Sequence, residues 1–307
     1  LHETLRHERQ RQSALAGRER TRRRPYQTSA YKFRQQPVEP GDVGGVNGGI
    51  AEEKFVTALA AQNDLRLQRR VRLLQVWAPT RRGEALYVRP VLVATEAHLA
   101  VRPSSCYRLL IFTSPVCEYF AQVSAPLYLK AEERYTRAPH GGTGSAKTAS
   151  NYSVTLRPMN DSLKDGFDQI PWLDGQEHRY VEEAGQMNMF FRLGDSVVTP
   201  ELSGTILPGV TRESVLTLLD DMDVVATERR LSMDELFQAQ IEGKLNEAFG
   251  AGTASVVVPI GRIRHHDNDL CFPEEQPENL CPKLYDRILG IQHGELEDRH
   301  KWMIPLE

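Results

Sequence analysis

Apolar and polar positions divide the chain into a first stretch without periodicity, a pair of strand-like runs, and a second half where two patterns alternate. Residues 37–49, PVEPGDVGGVNGG, are turn and loop chemistry. After them Phe55, Leu59 and Ala60 set the apolar stripe of a helix over residues 52–63. The β-branched and aromatic runs at 86–93 and 108–112 predict two strands, the second closed by Ser114-Pro115. Residues 151–166 read as a helix that Pro158 should kink, and 168–173 as a strand. Pro171 inside that strand removes a ladder donor, which predicts an edge position or a bulge. Val215, Leu218, Leu219 and Met222 share one face of a helix over 210–222. Ser232 and Glu235 form a capping box opening a helix that ends near Phe249, and 255–260 is an apolar strand. A boundary near residues 118–123 divides this α/β chain into a smaller α+β domain, 1–120, and a larger α/β domain, 121–307.

Composition narrows the class. The 307 residues are 40% apolar and 26% charged, as in ordinary globular proteins, and long enough for a sizeable core. No run approaches the roughly 18 apolar residues of a membrane span, and the first residues lack the apolar core of a secretion signal. The start at Leu1, without Met, suggests a fragment or a processed end, with the first domain truncated. Cys106, Cys117, Cys271 and Cys281 form no CxxC pair, which fits a reduced, cytoplasmic protein. A Cys271–Cys281 bridge, or a metal held with His265 and His266, is outweighed by the reading of unrelated loop residues. No ligand quartet has zinc-like spacing, so no metal is expected.

Charge is uneven. The net value is −3, yet residues 1–36 hold ten Lys/Arg against Glu3, Glu8 and Glu19. Such a basic end suits a nucleic-acid arm. The cluster from Arg18 to Arg24 has no interleaved aromatics and belongs to no binding module, so no nucleic-acid partner is expected.

The most informative segment is GGTGSAKTASNY, residues 141–152. Glycines let backbone approach a ligand, and a lysine among them is a candidate Schiff-base amine. Alone, that pattern more often marks a solvated loop lysine.

With its surroundings the segment resembles the branched-chain aminotransferases, of the fold-type IV pyridoxal phosphate family, whose stretch reads GGTGxxKxGGNYxxxL. Further motifs follow in the family's order. They are LYVRP at 86–90, SPVCEYF at 114–120, WLDGQEHRYVEEAGQMNMF at 172–190, LSGTILPGVTR at 202–212, FGAGTA at 249–254, and IQHG at 291–294 with Trp302.

The resemblance implies a fold-type IV, two-domain α/β architecture with pyridoxal 5′-phosphate at the domain interface. It implies that Lys147 carries the cofactor and moves the proton, a task suited to an amine whose pKa is easily lowered. Tyr152 would hydrogen-bond the phenolic oxygen. Glu183 would face the pyridine nitrogen and favour its protonated, electron-withdrawing form; read without the family, it is a solvated carboxylate beside Glu182. Leu207, Val210 and Thr211, at a helix start, and Thr253 would also bind cofactor, with the phosphate drawn to free N–H groups and the helix dipole. Read alone, Gly250 to Gly252 are a helix C-cap. Ala254 would lie near the substrate carboxylate.

Tyr87 and Arg89 alternate with Val88, so they share a strand face. By resemblance they line the substrate pocket, and the planar fork of Arg89 accepts a second carboxylate. Val101 matches a residue that reaches into a partner subunit, implying a homodimer. The implied reaction moves an amino group from leucine, isoleucine or valine to 2-oxoglutarate. Rivals are a D-amino acid aminotransferase, an aminodeoxychorismate lyase, or a degenerate paralogue that binds cofactor without turnover.

Some positions depart from the family. Ala149 and Ser150 replace two glycines, and a left-handed backbone there would cost roughly 1 kcal/mol or more. Gln186 stands where threonine or glycine is usual. Counting back from Ser29-Ala30 to the family's phosphate arginine reaches Pro25 beside Arg24, so no arginine is assigned.

Overall fold

The computed structural model describes residues 29–31, 84–116, 125–272 and 276–305. The helix expected over 52–63, the basic cluster, Arg24 and the boundary near 118–123 lie outside these residues.

Three short pieces precede the main body. Strand β1 (Ser29–Tyr31) pairs antiparallel with β13 (Met303–Pro305), Ala30 opposite Ile304. Strands β2 (Ala85–Ala94) and β3 (Tyr107–Val116) form a ten-residue antiparallel ladder. Both match the β-branched runs of the sequence. The second continues through Ser114 and Pro115 instead of stopping there, because Pro115 sits near the end of the ladder opposite Leu86.

Among the described residues the main body is a mixed sheet. Its strands are β4 (Leu127–Lys130), β5 (Pro171–Leu173), β6 (Val181–Ala184), β7 (Met187–Leu193), β8 (Ser196–Thr199), β9 (Ala226–Glu228), β10 (Leu245–Gly252), β11 (Val256–His265) and β12 (Asn268–Cys271). The order runs β12-β11-β10-β7-β6-β5, with β4 parallel to β11 and β8 between β7 and β9. Strand β5 lies at the end of that path and its pairing shifts after Pro171, as the missing N–H predicts. The strand starts at Pro171 rather than 168.

Helices cover both faces of the sheet, and β7 records this in its sequence. Met187, Met189 and Phe191 enter one core cluster with Met233, Leu236 and Ala239. Phe190 points into the other, with Val215, Leu218, Leu284 and Ile288. A strand buried on both faces has no reason to alternate, hence the run MNMFF. Phe190 stacks on Phe249 of β10 at 5.1 Å, and each such fully buried ring contributes about 2–3 kcal/mol of transfer free energy.

The helices are α1 (Ala149–Ser153), α2 (Leu156–Lys164), α3 (Val210–Asp220), α4 (Met233–Ile241) and α5 (Leu280–Gln292). The single helix expected over 151–166 is two. In a continuous helix the Pro158 ring would clash with the carbonyl of Val154 and offer it no N–H, so the break falls at Val154–Thr155. Pro158 then sits in the first turn of α2, where its missing N–H costs nothing. Helix α3 buries Val215, Leu218 and Leu219 as its spacing predicts, with Met222 partly buried just past its end.

Helix α4 opens on the capping box: Ser232 Oγ accepts from the Glu235 N–H at 3.1 Å, and Ser232→Ala would cost about 1 kcal/mol. Its end is not near Phe249. Gly243, at φ +67°, stops it, and residues 245–252 form central strand β10 instead. Gly250 and Gly252 are therefore strand residues, not a helix cap. Helix α5 had no sequence reading. Its start is capped from the sheet, where the buried Glu247 carboxylate accepts from the Leu280 and Cys281 N–H groups, both at 2.8 Å.

No described helix is long and apolar enough to cross a membrane. Cys106, Cys271 and Cys281 are free thiols, so the Cys271–Cys281 bridge does not form; burial pushes the Cys281 thiol up.

Candidate functional site

The glycine-rich loop, 141–147, connects the segment after β4 to α1. Gly144 has a definite steric reason to be glycine, because a Cβ there would overlap the Thr205 backbone. Asn151 fixes the loop from within: its buried amide donates to the Thr143 and Ala146 carbonyls at 2.7 and 2.9 Å. The Thr143 hydroxyl donates to its Oδ1 at 2.7 Å. Lys147, exposed at the loop's end, places Nζ 5.7 Å from the centre of the Tyr152 ring, one turn into α1.

Ala149 and Ser150 lie in helical backbone on the outside of α1, away from the left-handed region. The strain anticipated for losing two glycines is absent. Helical backbone accepts a Cβ, and both residues have lower backbone entropy to lose than glycine.

Glu183 reaches the same place from β6. Its carboxylate and that of Glu182 are both buried, so the solvated reading is wrong. Glu183 Oε1 accepts from the Leu207 N–H at 2.5 Å, while Oε2 faces Arg137 Nη2 at 3.3 Å. Arg137 Nη2 also donates to the Gly144 carbonyl at 3.3 Å and, more closely, to that of Thr205. Burial raises the Glu183 pKa to about 7, opposed by Arg137, the Leu207 N–H and Lys147. Glu182 is also raised by burial, with the Thr205 hydroxyl bonded to it acting the other way.

The segment before α3 is anchored by these contacts. Asn188, opposite Glu183 in the β6–β7 ladder, donates to the Leu207 carbonyl at 3.0 Å. Gly209 then passes so close to Asn188 Oδ1 that a Cβ would collide with it. Gly209 caps α3 in extended backbone with no side chain bonded to the helix start, and Val210 and Thr211 supply its first N–H groups.

Arg137, Lys147, Asn151, Tyr152, Thr155, Glu183, Gln186, Asn188 and Leu207 thus line one cleft. Of the residues singled out in the sequence, Lys147, Tyr152, Glu183 and Leu207 meet there. Val210 and Thr211 follow Leu207 at the α3 start. Thr253 and Ala254 are exposed in the β10–β11 turn, just beyond Gly252, whose Cβ position is 3.4 Å from the Gln186 carbonyl. None of the cleft-lining residues comes from the β2–β3 hairpin. Tyr87 and Arg89 do share a face there, with Arg89 Nη2 donating to the Tyr87 hydroxyl at 2.6 Å, and Val101 is fully exposed in the connecting loop.

Sequence reasoning missed Arg137, Asn151 and Asn188. Arg137 lies outside the quoted glycine motif, and Asn188 was quoted only as part of a match. Arg137 and Asn188 act through contacts with residues distant in the chain, for which a sequence carries no local signal, whereas Asn151 acts inside the glycine-rich motif itself.

The cleft has the donors and acceptors a phosphorylated pyridine aldehyde requires. A primary amine, a phenol and a buried carboxylate paired to a guanidinium line it, with an uncapped helix start following Leu207. The Nε of Arg137 is buried without a hydrogen-bond partner, a donor left for a ligand. This α/β chain belongs to the amino-transferase class IV family, whose model matches residues 59–263.

Within that family it is similar to a probable branched-chain-amino-acid aminotransferase of Staphylococcus epidermidis, 45% identical over 231 residues, covering 74% of this chain and 64% of the relative. Branched-chain-amino-acid aminotransferase 2 of Bacillus subtilis is 43% identical over 226 residues, with 74% and 62% covered. The chain thus spans a little under two thirds of these relatives' length. The fold is similar to that of the branched-chain amino acid aminotransferase of Thermobaculum terrenum in its PLP form. That structure gives a TM-score of 0.60 at 20% identity, covering 72% of this chain and 69% of the other.

Proposed function

We propose that the chain is a pyridoxal 5′-phosphate-dependent transaminase acting on branched-chain L-amino acids with 2-oxoglutarate. The observation that carries this reading is the convergence of Lys147, Tyr152 and the Arg137–Glu183 pair on one cleft. The relatives named for this activity supply the substrate class.

The cofactor, when bound, supplies an electron sink for charge developing at the substrate α-carbon. Lys147 would hold the cofactor covalently and, once released, carry the proton to and from that carbon. Its exposed place in the cleft lining suits both tasks. Tyr152 would orient the ring through its hydroxyl. Glu183 would hold a proton at the ring nitrogen; a buried carboxylate already close to neutral pH loses little by sharing that proton. The N–H groups of Val210 and Thr211, with Thr253, would receive the phosphate.

Tyr87, Arg89, Val101 and Ala254 would shape the amino-acid pocket. Val101, exposed at the end of a hairpin, suits a residue donated to a second copy, so the assembly proposed is a homodimer. The domain division proposed is 1–120 and 121–307, with the cofactor between them.

Borohydride reduction of the cofactor-loaded protein, peptide mapping and a half-reaction with L-leucine test the reading. The expected result is one reduced adduct on Lys147 and bleaching by L-leucine but not by D-alanine. An adduct on another lysine defeats the site assignment. Bleaching by D-alanine alone defeats the substrate class. A coloured chain that L-leucine leaves unchanged is a cofactor-binding protein without turnover.

A further inference from the structure

Outside the cleft, three metal-ligating side chains come together. His265 ends β11, His266 opens the turn to β12, and Glu133 follows β4. One ligand atom from each lies within 4.8 Å of the other two, the one such grouping among the described residues that could hold a metal ion. The parallel pairing of β4 with β11, Lys130 opposite Arg264, creates the juxtaposition, since it carries the segment after β4 alongside the β11–β12 turn.

The cluster is organised beyond proximity. The His266 N–H donates to Glu133 Oε1 at 2.7 Å, which leaves Oε2 aimed at His266 Nδ1, 3.0 Å away. A carboxylate oriented by a backbone N–H is the usual support of a metal ligand. The two imidazoles lie 4.1 Å apart, and His265 is braced against Phe237. His266 holds φ +52° in the tight turn between β11 and β12.

From this geometry we infer that Glu133, His265 and His266 form a surface site for a divalent transition ion of the zinc type, with water completing the shell. Two imidazoles and one carboxylate match zinc's preference, with bonds of about 2.0–2.2 Å. That places ligand atoms roughly 3.4 Å apart on a tetrahedron. The Glu133–His266 pair, at 3.0 Å, is already near that spacing, and a His265 ring nitrogen lies within 4.8 Å of both. The ion would tie the β11–β12 turn to segment 131–137, whose other end carries Arg137. The expectation of no metal rested on the lack of a ligand quartet with zinc-like spacing, whereas Glu133 enters from a distant segment.

Calorimetric titration of zinc chloride into the full chain in a non-chelating buffer tests the site. One ion per chain is expected, with His265→Ala and His266→Ala each weakening binding roughly tenfold or more, and Glu133→Gln weakening it less. His98→Ala serves as a control that keeps full affinity. Circular dichroism verifies that each variant is folded. Absence of uptake by the unaltered chain overturns the proposal, as does uptake that survives in the folded His265→Ala/His266→Ala double variant.

Discussion

The Arg137 guanidinium and the Glu183 carboxylate meet at 3.3 Å with both side chains buried, and each depends on the other to offset its loss of water. Deleting the cation strands a buried carboxylate. Arg137→Ala is expected to cost about 3–5 kcal/mol and to lower the melting temperature by many degrees. Arg137→Lys keeps the charge but loses the fork that serves Gly144, Thr205 and Glu183 together, so only part of the loss should be recovered. A melting temperature for Arg137→Ala within a degree of the unaltered protein would contradict the pairing.

Glu183 also sets a pH dependence. Its folded-state pKa is about 7 against an ordinary 4.5, first because of burial. The folded chain therefore holds this proton more tightly than the unfolded chain. Stability is greatest below pH 4.5 with respect to this group, and declines as pH rises to about 7. The group's full contribution is about 3 kcal/mol. Glu183→Gln should flatten that portion of the melting curve series between pH 5 and 8 in the cofactor-free protein. A variant whose slope equals that of the parent would show that Glu183 is not the titrating group.

Lys147 is exposed and its removal leaves no cavity. Lys147→Ala should melt within a few degrees of the parent yet lose at least roughly a thousandfold in transamination, since it removes both the anchor and the proton carrier. Steady-state rates with L-leucine and 2-oxoglutarate, beside a melting curve, separate these effects.

Glycine at 144 and non-glycine at 149 and 150 should respond in opposite ways to substitution. Gly144→Ala drives a Cβ into the Thr205 backbone and should cost about 1–3 kcal/mol or displace the loop. Ala149→Gly and Ser150→Gly, which restore the family pattern, should each destabilise by about 0.5–1 kcal/mol, because both sit in helical backbone. Chemical denaturation of the three variants checks the sign of each effect.

Local signals in the sequence were sufficient for several elements. The capping box at Ser232, the apolar face of α3, the β2–β3 strands and the edge position of Pro171 all follow from interactions within a few residues. The ordered motifs around Lys147 identified the family and brought Tyr152, Glu183 and Leu207 forward as partners.

Tertiary structure decided the rest. The helix expected from Ser232 to near Phe249 stops at Gly243, and pairing between β7 and β11 makes residues 245–252 a central strand. Without the family resemblance Glu183 reads as a solvated carboxylate beside Glu182, and it is the arrival of Arg137 and Thr205 from other segments that accompanies the burial of both. Asn188, Glu247 and Glu133 likewise act on partners far along the chain. Periodicity and capping report forces between near neighbours. Charge pairing in a dry interior and the closure of a ligand set depend on which distant segments the fold brings together, and that is fixed only when the sheet assembles.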